Sequence, residues 1–116
     1  MSDYHEIQVV GMHFRGSEAK ELAATLNPGD ELFLEREDNN KYDQNAIKVM
    51  AADKNGEPTF HLGYINRDSA AWISPDLDSG ARFIATVEDV RYANNNHYPY
   101  ITLTKSEPVT IPLTVD

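Results

Sequence analysis

Apolar and polar residues alternate in short runs along this chain, and the runs are separated by turn-forming residues. Ile7-Gln8-Val9-Val10-Gly11-Met12-His13-Phe14 is rich in β-formers and predicts a first strand running out at Gly16. Ala19-Lys20-Glu21-Leu22-Ala23-Ala24 has high helix propensity, with Ser17 placed to cap it. Asn27-Pro28-Gly29-Asp30 reads as a turn, and Glu31–Arg36 as a second strand. Glu37–Gln44 holds two Asn and two Asp and predicts an ordered polar loop. Asn45–Met50 alternates as a third strand, Asp53-Lys54-Asn55-Gly56 carries the Asn-Gly hairpin signal, and Thr59–Ile65 returns. Arg67–Leu77 predicts a second helix, with Asn66 or Asp68 as cap, Trp72 and Ile73 on one face, and Pro75 as a break or restart. Arg82–Val87 and Tyr98–Thr104 complete the strands, with Asn94-Asn95-Asn96 between them as a turn.

Six short strands joined mostly by turns, with two helices interspersed, predict a mainly β fold: an antiparallel barrel or curled sheet with helices over its openings. At 116 residues the chain has the length of one domain. The core is expected over about residues 7–104, followed by an irregular or edge-like tail at 106–116. The absence of cysteine removes disulfides, thiolate metal sites and a cysteine nucleophile. No apolar run approaches a membrane span, and Met1–Val10 carries Asp3 and Glu6 where a signal peptide would be apolar. These features predict a soluble cytoplasmic domain with no membrane partner.

Charge narrows the picture further. Ten basic and nineteen acidic side chains give a formal net charge of −9. Such a chain repels polyanions at long range, whereas duplex-DNA binders gain affinity by neutralising many phosphates. A nucleic-acid role must therefore rest on a small local pocket. The densest candidate is Asn39-Asn40-Lys41-Tyr42-Asp43-Gln44-Asn45-Ala46-Ile47, which offers an aromatic face, a carboxylate and several amides leading into an apolar strand. That set suits a base stacked on Tyr42 and a sugar hydroxyl donating to Asp43. The competing reading is that these Asn and Asp side chains hold the loop together by bonding its own backbone.

Four segments in order carry a family resemblance: Val9-Val10-Gly11; Leu34-Glu35-Arg36-Glu37; Asn40-Lys41-Tyr42-Asp43-Gln44-Asn45-Ala46-Ile47-Lys48-Val49; and Leu62-Gly63-Tyr64-Ile65. Together they resemble the HIRAN domain family, over nearly the whole of residues 7–104. The resemblance implies an OB-like six-stranded antiparallel barrel that grips the 3′-hydroxyl end of single-stranded DNA, with roles in DNA repair and DNA-processing proteins as partners. It implies that Tyr42 stacks, that Asp43 accepts from the 3′-hydroxyl, that Phe14 is a second aromatic, and that Arg67 meets a phosphate, aided by the amides of its helix. His13 falls at a basic position of the family's first-strand segment when aligned from the left. Aligned back from Gly16, Arg15 replaces an aromatic. Lys41 stands where a proline often precedes the Tyr-Asp pair, and Tyr64 where a phosphate-contacting histidine can stand. The family also places an aromatic near the last hairpin, where Tyr92, Tyr98 and Tyr100 lie, either as surface cover or as a third cleft wall.

Other residues read more plainly. His5, His13, His61 and His97 lack metal-ligand spacing, so no metal or other cofactor is expected. Trp72 reads as a core anchor in preference to a base platform, and Glu88-Asp89 as a solvated acidic edge. Glu37 and Asp43 form a conceivable acid–base pair, but no glycine-framed serine, metal cluster or phosphate loop accompanies them, so a non-enzymatic binding module is expected over a nuclease. The rival is an acidic protein-interaction or oligomerisation module that keeps the barrel without the DNA grip. The electrical character of the walls around Tyr42 separates the two.

Overall fold

The alternation along each strand builds a barrel because one set of side chains is buried and the other faces out. The computed structural model describes residues 4–12 and 15–106. Among them are β1 (Tyr4–Val10), α1 (Ser17–Thr25), β2 (Glu31–Arg36), β3 (Ile47–Ala52), β4 (Pro58–Ile65), α2 (Arg67–Asp78), β5 (Phe83–Ala93) and β6 (Asn96–Lys105). The strands close into an antiparallel barrel in the order β1-β4-β3-β2-β5-β6. In β3, Ile47, Val49 and Ala51 are buried while Lys48, Met50 and Ala52 are only half-buried, a period of two that fixes which face turns inward. Ile7, Val9, Leu32, Leu62, Ile65, Ala85, Val87, Ile101 and Leu103 fill the same interior. Ala19 and Ala23 of α1, with Ala70 and Ile73 of α2, extend the core to the helices.

Several element ends differ from the sequence expectation. β1 stops at Val10, where Gly11 adopts φ +85°, and it begins earlier, at Tyr4. His13 and Phe14, expected in that strand, lie outside the described residues, as does the expected irregular tail from residue 107 on. Gly16, not Ser17, occupies the N-cap of α1, and no side chain caps that helix. Asn66 caps α2, its Oδ1 accepting from the Ser69 amide at 3.0 Å. Pro75 does not break α2, which runs on to Asp78. A proline's φ suits a helix, and the Ala71 carbonyl whose bond it forfeits belongs to an exposed residue. Arg36 holds the last turn through Asp78.

Trp72 is the largest correction. It is 77% exposed instead of anchoring the core. The inward stripe of α2 is Ala70, Ile73 and Ser74 with Leu77, spaced i, i+3, i+4, i+7, and Trp72 falls outside it. Glu88 is likewise not simply solvated: β5 continues past it, and its carboxylate accepts from the Thr102 hydroxyl and from the Glu6 amide.

Two features set up one side of the barrel. Gly63 of β4 lies so close to β1 that a Cβ there would sit 2.5 Å from the Val10 carbonyl oxygen and 3.0 Å from Met12 Sδ. Only glycine permits that approach. The Asn66 amide and side chain both donate to the Gln8 carbonyl, so the start of α2 is tied to β1.

Candidate nucleic-acid interface

The loop between β2 and β3 is shaped by its own side chains. Its ends are closed by the Glu37 amide donating to the Ala46 carbonyl at 2.9 Å. Arg36 donates from Nη1 to the Ala46 carbonyl and from Nη2 to the Gln44 carbonyl, at 2.8 and 2.9 Å. The same guanidinium reaches Asp78 of α2, which holds that carboxyl below its usual range. Inside the loop, Asn40 Oδ1 accepts from the amides of Tyr42 and Asp43 at 2.8 and 3.0 Å, and Asp43 Oδ1 accepts from the Asn45 amide at 2.9 Å. Asn45 Oδ1 in turn accepts from the buried Ser74 hydroxyl of α2. These are the local side-chain-to-backbone bonds that favour Asn and Asp in turns.

Beneath the loop lies a polar knot that sequence reasoning did not place. Asn40 Nδ2 donates to Glu37 Oε1 at 2.6 Å, the Tyr64 hydroxyl donates to the same oxygen at 3.0 Å, and Lys48 Nζ lies 3.1 Å from Glu37 Oε2. The Asn40 amide, with Lys48 and Tyr64, draws the Glu37 carboxyl below its ordinary range against the opposing cost of burial. Desolvation, then the bond to Glu37, raises the Tyr64 hydroxyl. A carboxylate so stabilised is the reverse of a general acid, which needs a raised pKa. The signal for this knot was the pairing of Lys48 with Tyr64 across β3 and β4, visible only once the register is known. It accounts for Glu37 in the Leu-Glu-Arg-Glu segment, and the loop clamp accounts for Arg36.

The consequence is an open cleft of about 380 Å³ lined by Val10, Asn40, Tyr42, Asp43, Ala46, Tyr64, Ile65 and Arg67. Tyr42 is 85% exposed, so its ring is free for a ligand. Asp43 Oδ2 accepts no hydrogen bond among the described residues, although Oδ1 is committed to the loop. The Arg67 guanidinium, at the first turn of α2, has no ion-pair partner among the described residues. Tyr64 contributes its ring, packed edge-on to His61 at 4.8 Å, while its proton goes to Glu37. With one arginine and one aspartate lining it, the cleft is locally neutral in a chain of net charge −9.

Not every expected residue converges there. Lys41 is exposed beside Tyr42 but does not line the cleft. Arg15 lines a separate cavity with Thr59, Phe60 and His61, yet its charge reaches both His61 and Tyr64. Burial, and then Arg15, lowers the His61 pKa. Tyr92 sits on the β5–β6 hairpin with its ring against His97 and its hydroxyl donating to Asn95, outside the cleft. A further cavity bounded by Tyr98, Tyr100 and Arg91 adjoins the cleft through Val10. Among the described residues, no group of three or more His, Asp or Glu is placed to hold a metal ion, and no helix is long and apolar enough to cross a membrane.

The HIRAN domain family model matches residues 2–107. The chain belongs to the HIRAN domain family. Among solved structures, this HIRAN domain is similar to a protein from Lactobacillus plantarum at TM-score 0.67 and 25% identity, covering 86% of this chain and 91% of that one. It is also similar to the HIRAN domain of human HLTF at TM-score 0.62 and 26% identity, covering 86% of this chain and 72% of that one. No curated protein matches the chain. The closed six-stranded barrel agrees with the OB-like fold that the family resemblance implied.

Proposed function

We propose that this HIRAN domain is a nucleic-acid-binding module that holds the 3′-hydroxyl end of single-stranded DNA in the Tyr42 cleft. The observation that carries this reading is the convergence of Tyr42, Asp43 and Arg67 on one cleft that is neutral within an acidic chain. A terminal base stacks on the Tyr42 ring. The 3′-hydroxyl donates to Asp43 Oδ2, and Arg67 pairs with a phosphate. Tyr64 is the wall of the cleft, with Tyr92 as an outlying aromatic. Lys41, next to Tyr42 in the chain, and Arg15, whose charge reaches Tyr64 from a neighbouring cavity, add positive charge for the phosphates. His13 and Phe14 lie outside the described residues. The lining of the cleft, with one arginine and one aspartate, supports this reading over an acidic adaptor, which would have acidic walls around Tyr42.

The chemistry predicts specificity for the end of the strand over its sequence. Every base has a π-face, and stacking contributes about 1–3 kcal/mol per base whatever the base is. With so few cationic groups, binding falls gently with salt compared with duplex binders. The reading is tested by fluorescence anisotropy on oligonucleotides ending in a free 3′-hydroxyl or a 3′-phosphate. A hydrogen bond to a carboxylate is worth about 1.5–3 kcal/mol, so the hydroxyl end should bind roughly tenfold tighter or better. Asp43→Ala should erase that preference, and Tyr42→Ala should weaken both ligands. Equal binding of the two ends by the parent protein overturns the end-reading mechanism.

A further inference from the structure

Helix α2 is apolar on two faces, and only one of them is used by the fold. Ala70, Ile73 and Ser74 are buried against the barrel, with Leu77 partly covered. Asp68, Ala71, Trp72 and Pro75 form a second stripe at i, i+3, i+4 and i+7, and all four are exposed. Trp72, the only tryptophan of the chain, projects from it at 77% exposure. It lines neither the Tyr42 cleft nor the cavities beside it.

The charges around Trp72 say what kind of partner would cover it. Residues one turn away on either side, at i−4 and i+4, are Asp68 and Asp76. The Tyr4 hydroxyl donates to Asp76 Oδ2 at 2.7 Å and fixes that carboxylate in place. Asp68 has no ion-pair partner among the described residues. A nucleic-acid strand would meet two carboxylates here. A second copy of the chain would bring a charge of −9 against a charge of −9. A guanidinium meets neither obstacle: it stacks on an indole face and bonds a carboxylate in the same plane.

We propose that the outer face of α2, centred on Trp72, docks an arginine-bearing, partly apolar segment of a partner protein. One arginine lies over the Trp72 indole between Asp68 and Asp76, and a neighbouring apolar side chain covers Ala71 and Pro75. Asp68 and Ala71 adjoin the cleft's Arg67 along α2, but Trp72 does not line the cleft, so Trp72→Ala should leave oligonucleotide binding unchanged and tells the two readings apart.

Because the chain has one tryptophan, its emission reports the site directly. The probes are capped peptides of alternating arginine and leucine, alternating lysine and leucine, and alternating glutamate and leucine, added to the full chain. The arginine peptide should shift Trp72 emission to the blue and saturate. The lysine peptide should bind several-fold more weakly, since an ammonium stacks poorly, and the glutamate peptide should leave emission unchanged. With a labelled arginine peptide, Trp72→Ala and Asp68→Asn should each weaken binding about tenfold, while Glu18→Gln on α1 should have no effect. All three positions are exposed, so the variants keep the fold. Binding undiminished by Trp72→Ala overturns the proposal, as does an equal loss from Glu18→Gln, which would mean general attraction to an acidic surface. An emission shift on raising protein concentration alone would make a second copy the occupant, and a shift produced by an oligonucleotide instead of the peptide would make it nucleic acid. Either result also overturns the proposal.

Discussion

The β2–β3 loop and the β5–β6 hairpin use the same residue types to opposite ends. Both are rich in asparagine and both carry a tyrosine. In the hairpin, Ala93 pairs directly with Asn96, and Asn94 and Asn95 take φ of 52° and 65° to complete the reversal. Those asparagines supply backbone conformation, as the two central residues of a type I′ turn require. Tyr92 beside them, though 63% exposed, is held along the hairpin, with its ring on His97 and its hydroxyl on Asn95. In the longer loop, Asn40 supplies bonds: it accepts two amides and donates to Glu37, so the chain bulges and Tyr42 is thrust outward. The tight connection encloses nothing within itself, and the cavity it borders is completed by Gln8, Val10 and Gly11 at the end of β1. A long one held from within makes a cleft.

The sharpest way to break this contrast is beneath the cleft. Gly63→Ala places a methyl 2.5 Å from the Val10 carbonyl, which forces β1 and β4 apart. It should cost about 1–3 kcal/mol of stability, at the upper end because the obstacle is backbone, and should weaken oligonucleotide binding as well. Thermal unfolding and anisotropy on the same sample check both effects. The hairpin end of the barrel has no equivalent close approach among the described glycines.

Next in size is the exchange of asparagines. Asn40→Ala removes the acceptor of the Tyr42 and Asp43 amides and the partner of Glu37. At about 0.5 kcal/mol for each of these three partly solvated bonds, the lower end for a net hydrogen bond, it should lose roughly 1.5 kcal/mol of stability, and oligonucleotide affinity with it. Asn95→Gly should stay within about 0.5 kcal/mol of the parent, because glycine is equally at home at positive φ in such a turn. Similar losses from both variants would show that the loop's side-chain bonds matter no more than the hairpin's backbone preference.

The smallest expected effect is a pH dependence confined to the loop. Glu37 has a lowered pKa in the folded chain, chiefly through Asn40 and then through Lys48 and Tyr64. Its contribution is therefore complete above the ordinary glutamate pKa of about 4.3 and is lost as pH falls through the lower folded value. The stability difference between the parent and Glu37→Gln should be largest near neutrality and shrink in acid. A difference that does not change with pH would remove the charged Glu37 from the account of the loop.

Much of the architecture was legible because strand alternation states a face residue by residue. Six strands and two helices follow from period and turn chemistry, and Asn94-Asn95-Asn96 announced its turn. The loop's Asn and Asp pattern announced self-bonding, and the structure shows that self-bonding and an open carboxylate oxygen coexist at Asp43. The placement of Trp72 was not legible. An aromatic on a helix of mostly small residues predicts burial by composition, but the neighbouring Ala70, Ile73 and Ser74 already fill the only face turned to the barrel. Pro75 misled for a related reason, since the cost of proline depends on whether the carbonyl it orphans belongs to an exposed residue.

By itself the sequence determined the barrel, its turns and the gathering of Tyr42 and Asp43 into one loop, because periodicity and turn preference act between near neighbours. Only the tertiary structure decided that Glu37, Lys48 and Tyr64 lock together beneath that loop, that Arg67 of α2 faces it, and that Trp72 is left outside. Those outcomes depend on strand register and on which helical face meets the barrel. Both are set by packing between segments far apart in the chain, where no local pattern carries the information.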